Sequence, residues 1–123
     1  MANVRAAACA GLFYPADATE LRQDVQAYLE VSEPDAGWPV PKAIIAPHAG
    51  YEYSGVVSAT AYAALRKASD IIRRVILIGP AHRVPVYGLV VPSAMQFATP
   101  LGPVNLDSAA IELALTLPQV SLS

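Results

Sequence analysis

Two histidines, the only ones in the chain, carry the clearest chemical potential: Ala43-Ile44-Ile45-Ala46-Pro47-His48 and Val75-Ile76-Leu77-Ile78-Gly79-Pro80-Ala81-His82 each place an imidazole just past a short apolar run. Imidazole ligates zinc, copper, nickel and iron, and near neutral pH it can also carry a proton. Two histidines with one anionic ligand can hold a catalytic ion and leave positions open for water or substrate. The alternative role for each is a hydrogen bond to nearby backbone. The spacing of the pair is uninformative by itself, and its interest lies in the shared placement at the ends of two expected strands.

Around His48, the residues Tyr51, Glu52, Tyr53 and Ser54 are candidate substrate or outer-sphere groups. A phenol can donate a hydrogen bond, and a carboxylate can ligate or accept a proton. Arg83, directly after His82, is a candidate for orienting an anion. Arg73 and Arg74 precede the second run and are expected at its far end. The single cysteine, Cys9, excludes an intrachain disulfide and reads as a buried thiol. No Gly-x-Ser-x-Gly elbow, phosphate loop or dinucleotide fingerprint is present.

The elements that must position these residues follow from pattern. Asp17-Ala18-Thr19-Glu20 has the form of a capping box, and Leu21, Val25, Tyr28 and Leu29 continue at helical spacing until Pro34, Gly37 and Pro39. Lys42 to Ala46 reads as a buried strand. The polar stretch after His48 leads to a second helix, with Ser54 as N-cap, Val57, Ala61, Ala64 and Leu65 as its apolar markers and an end near Lys67. Its amino end at residues 54 to 57 would offer free amide groups to an anion. Val75 to Ile78 is the next strand, which makes a right-handed βαβ unit with parallel neighbours. In such a sheet both histidines lie at the carboxyl edge, where ligands of open α/β sheets bind.

Further on, Gly88 to Pro92 reads as another strand and Pro100 to Val104 as a turn-rich extended segment. Asp107 can cap a last helix with Ala110, Leu113, Ala114 and Leu117 on one face. Pro118 to Ser123 alternates like the start of a strand that has no partner. The expected fold class is α/β, a parallel or mixed sheet with flanking helices, and incomplete.

Composition narrows the partners. The 123 residues are 54% hydrophobic and only 15% charged, where about a quarter is usual. That excess fits strands buried on both faces, or a surface awaiting more protein. A formal charge of -2 supplies no basic field for nucleic acid or anionic lipid. Charged and proline residues interrupt every apolar run short of membrane-spanning length, and the amino terminus lacks the apolar core of a secretory signal. The expectation is therefore a cytoplasmic protein with no nucleic-acid or membrane partner.

Four ordered motifs sharpen this reading: Gly11-x-Phe13-Tyr14-Pro15-Ala16-Asp17, Pro47-His48-Ala49-Gly50-Tyr51-x-Tyr53-Ser54-Gly55, Leu77-Ile78-Gly79-Pro80-Ala81-His82-Arg83-Val84-Pro85, and Phe97-x-Thr99-Pro100-Leu101-Gly102-x-Val104-x-x-Asp107. Together they resemble the Memo family, component B of the AmmeMemoRadiSam system. The resemblance implies a fold similar to that of class III extradiol dioxygenases, which open catechols with non-haem iron(II). It makes His48 and His82 metal-site residues, with iron(II) or copper as the metal. Ala81 stands where the family usually has serine, which removes a hydroxyl but no ligand.

Members of the family run to more than twice this length and draw further site residues, a cysteine among them, from their later half. Cys9 precedes the first motif and does not correspond to it. Residues 1–123 are thus expected to form the amino-terminal part of a single Memo-like domain, with an incomplete site. The implied activity is that of a dioxygenase-like oxidoreductase acting on a small organic substrate in the full-length protein, with catalysis not expected of this fragment. An alternative is a non-enzymatic interaction module whose crevice binds a peptide or protein partner, with a link to a radical-SAM system. A metal-dependent hydrolase is a third possibility, without any sequence feature of its own.

Overall fold

The computed structural model describes residues 3–32 and 37–123. The chain divides into two compact units, residues 7–73 and residues 1–6 with 74–123. Its class is mixed α/β, with three α-helices and two small sheets among the described residues.

Residues 7–73 are built on two helices. Helix α1 spans Ala18–Val31, and the Asp17 carboxylate accepts a hydrogen bond from the Glu20 amide at 2.9 Å, as the capping box predicts. Its far end is closed by Ser32, which is buried and donates its hydroxyl to the Tyr28 carbonyl at 2.8 Å. Pro34, expected to end this helix, lies outside the described residues.

Helix α2 spans Tyr51–Ala63 and is followed by a 3₁₀ turn at Arg66–Ala68. It begins four residues earlier than the sequence reading places it, with Gly50 rather than Ser54 as N-cap. Its buried face is also different. Ser54, Gly55, Ala59 and Ala63 are covered, whereas Val56 and Val57 are exposed. Bulk at the α1–α2 contact comes from the Tyr28 ring, against which α2 sets the small residue Gly55. A Cβ on Gly55 would lie 2.8 Å from the Tyr28 ring, and this close approach is why glycine stands there.

In the other unit, Val4–Arg5 (β1) pairs in parallel with Gln96–Phe97 (β3), which pairs antiparallel with Val104–Asn105 (β4). Arg5 lies 5.3 Å from the Phe97 ring centroid. Leu89–Val91 (β2) pairs in parallel with Val120–Leu122 (β5). The predicted terminal strand therefore does have a partner. Helix α3, Ser108–Ala114, is capped by Asp107 accepting from the Ala110 amide at 3.1 Å, and it stops before Leu117.

The two runs of the expected βαβ unit fall in different compact units. Neither Lys42–Ala46 nor Val75–Ile78 belongs to a ladder among the described residues. Branched apolar residues favour an extended chain, but a strand also needs a neighbouring backbone to receive its amide and carbonyl groups. In this chain the ladders form instead between 4–5, 96–97 and 104–105, and between 89–91 and 120–122.

Candidate functional site

His48 follows the extended run 42–46 and stands immediately before α2. The backbone on both sides of it is held by that helix. Ser58 donates its hydroxyl to the Pro47 carbonyl at 2.9 Å, and Ser54 donates to the Ala49 carbonyl at 2.8 Å and the Gly50 carbonyl at 3.2 Å. The predicted cap residue Ser54 thus works from inside the helix, back-bonding to the loop that precedes it. His48 itself is exposed.

The first and second motifs meet at this loop. The Tyr51 amide donates to the Phe13 carbonyl at 2.7 Å, and Gly50 packs against the Phe13 backbone. Tyr51 lies 5.8 Å from Tyr14 and 6.1 Å from Tyr28 between ring centroids, the latter pair edge to face. Burial pushes the Tyr51 phenol above its usual range, and the neighbouring Tyr14, Tyr62 and Tyr28 add to the rise. The sequence makes Tyr51 a candidate substrate or outer-sphere group with packing as its alternative, and it offers Tyr14 and Tyr28 only as motif and helix residues. In the structure Tyr51 packs with both, and the signal for this contact is the aromatic residue recurring in the first motif and on α1.

Glu52 and Tyr53 are exposed on the first turn of α2, Tyr53 at 81%. The anion site expected at the amides of residues 54 to 57 is not available, because these amides lie within the helix rather than at its start. At the true start, the Tyr51 amide is already bonded to Phe13.

His82 and Arg83 belong to the other unit, in the bend that follows Val75–Ile78, and both are exposed. Cys9 is half-buried rather than fully buried. Among the described residues, no three His, Cys, Asp or Glu side chains are grouped as metal ligands. The described donors do not by themselves make a three-ligand metal site. No helix among the described residues is long and apolar enough to cross a membrane.

Comparison with known proteins places this arrangement. Residues 5–121 match the family of Memo-like proteins. A MEMO1 family protein of Aquifex aeolicus is 38% identical over 118 residues, covering 94% of this chain and 41% of that protein. Protein MEMO1 of Danio rerio is 37% identical over 103 residues, covering 84% of this chain and 33% of that protein. The memo-1 homologue of Caenorhabditis elegans is 33% identical over 105 residues, covering 85% of this chain and 29% of that protein. The chain spans less than half the length of these relatives. A match across nearly all of its residues, through the segments that carry His48 and His82, shows that the chain belongs to the Memo family.

Proposed function

We propose that this chain is the histidine-bearing part of a Memo-type metal-binding protein, with His48 and His82 as imidazole ligands for iron(II) or copper. The observation that carries the reading is the mounting of His48. Its flanking carbonyls are pinned by Ser54 and Ser58, so the loop that carries the exposed residue His48 has an already ordered backbone. Preordering of that kind lowers the entropic cost of ligation. In the complete protein the function is that of a dioxygenase-like oxidoreductase for a small organic substrate, in a reducing compartment such as the cytoplasm that keeps iron ferrous. Because no three donors are grouped among the described residues, no reaction step is assigned to this chain.

The test is anaerobic titration of iron(II), and separately copper, into the 123-residue chain, read by competition with a chromophoric chelator. Weak binding is expected, reduced at least tenfold by His48→Ala and by His82→Ala. Affinity unchanged in both variants overturns the reading.

A further inference from the structure

Ser58 belongs to none of the four sequence motifs, yet its hydroxyl makes a bond that a helical serine does not ordinarily make. A serine or threonine inside a helix commonly donates to the carbonyl four residues back. Thr60 does so in α2, to Val56 at 3.1 Å, and Ser32 does so at the end of α1, to Tyr28 at 2.8 Å. Ser58 instead reaches 11 residues back, to the Pro47 carbonyl at 2.9 Å. One turn earlier on the same face of α2, the buried Ser54 donates to the Ala49 carbonyl at 2.8 Å. The two hydroxyls therefore bracket His48, and all of these groups lie within residues 7–73.

Peptide geometry turns this bracket into a constraint on His48. Each carbonyl shares a rigid plane with the amide of the next residue, so holding the Pro47 and Ala49 carbonyls holds the 47–48 and 49–50 peptide planes. The ring of Pro47 fixes its φ, which leaves its ψ as the soft angle ahead of His48, and that angle is what the bond to Ser58 sets. On the far side, the 50–51 plane is tied twice, through the Gly50 carbonyl to Ser54 and through the Tyr51 amide to Phe13. Only the plane joining His48 to Ala49 is held by none of these bonds, and it is flanked by fixed planes on both sides. The direction in which the His48 Cα–Cβ bond leaves the chain is set accordingly, and the side chain keeps only its own rotamer choice.

We propose that Ser58, acting with Ser54, is a positioning residue for His48, its hydroxyl fixing the peptide plane from which that histidine is presented. This role rests on the assignment of His48 as a metal ligand and adds to it the residues that orient it. A ligand held in place before binding loses less freedom when it binds, so removal of the Ser58 hydroxyl weakens the ligand without touching it. A tie that served only to join loop to helix would alter stability and leave the affinity of the folded chain unchanged.

The experiment compares the native 123-residue chain with Ser58→Ala, Ser58→Thr, Thr60→Ala and His48→Ala. Backbone ¹⁵N relaxation dispersion is measured without metal, and iron(II) is then titrated anaerobically and followed by paramagnetic broadening of the resonances of residues 47–51. Ser58→Ala should show new exchange broadening at the His48 and Ala49 amides but not at Tyr51, and its iron(II) affinity should fall about fivefold, the scale of one hydrogen bond. Ser58→Thr, which keeps the hydroxyl, should restore affinity to within about twofold of native. Thr60→Ala, whose lost bond is internal to α2, should match native. Should Ser58→Ala lose its helical circular dichroism, Ser58→Cys takes its place with the same expectation, since a thiol is only a weak donor. Native affinity in the variant without the hydroxyl, or an equal loss in Ser58→Thr, overturns the proposal. Where His48→Ala lowers affinity and Ser58→Ala does not, the positioning role alone fails. Where His48→Ala has no effect, the ligand assignment fails and the positioning role falls with it.

Discussion

The amide of Tyr51 donates a 2.7 Å hydrogen bond to the carbonyl of Phe13. This one bond joins two motifs that are far apart in sequence, and it fixes where α2 begins. It satisfies an amide that a helix start otherwise leaves open, and it seats Tyr51 against Tyr14 and Tyr28.

That seat has a consequence at high pH. Burial, reinforced by Tyr14, Tyr62 and Tyr28, raises the Tyr51 phenol above its ordinary value of 10.0. The folded unit therefore keeps this proton after the unfolded chain has lost it. The resulting contribution to stability is fully present below pH 10 and is lost as pH rises through the raised folded value. Denaturation midpoints measured from pH 8 to 11.5 should fall above about pH 10 in the native chain. In Tyr51→Phe this part of the fall should be absent, and a spectrophotometric phenolate titration should lose its latest step.

Gly55 sets how closely α1 and α2 approach. Alanine in a helix interior is favoured over glycine by about 1 kcal/mol, but here its Cβ would meet the Tyr28 ring at 2.8 Å. Overpacking of this kind costs about 1–3 kcal/mol, so Gly55→Ala should destabilise the chain by about 1 kcal/mol in urea unfolding. In a Tyr28→Ala background the same substitution should become stabilising. A Gly55→Ala effect of the same sign in both backgrounds would show that the Tyr28 contact does not set this spacing.

Gly88 is held by a different constraint. Its φ is +69°, and an added Cβ would collide with the Gln119 carbonyl oxygen, beside the bond from the Leu89 amide to that same oxygen. Both the left-handed backbone and the β2–β5 pairing oppose a side chain. Gly88→Ala should cost about 2–4 kcal/mol, with faster hydrogen exchange at Leu89 and at the β5 amides. Adding Gln119→Ala should not restore stability, because the clash is with backbone. Restoration by that second change would contradict the geometry.

Much of the local structure could be read from residues that act over a few positions. Asp17 and Asp107 cap the helices they were expected to cap, and Leu89–Val91 is a strand. Ser54 was misread because its hydroxyl reaches backward: a serine in the first turn of a helix and a serine at its cap look alike in sequence, and only the position of Phe13 distinguishes them. The two histidines were visible from their placement after apolar runs, and the tyrosine cluster was not, since Tyr14, Tyr28 and Tyr51 come together only when α1 packs on α2.

The sequence by itself determined the family, the presence of three helices and the caps at Asp17 and Asp107, because motif identity and capping chemistry are local properties of the chain. The tertiary structure decided which apolar runs become strands. Val75–Ile78 and Val120–Leu122 both have strand-like residues, yet among the described residues only the second pairs in a ladder, with Leu89–Val91. A strand is completed by its neighbour's hydrogen-bonding groups, and composition cannot say where that neighbour is.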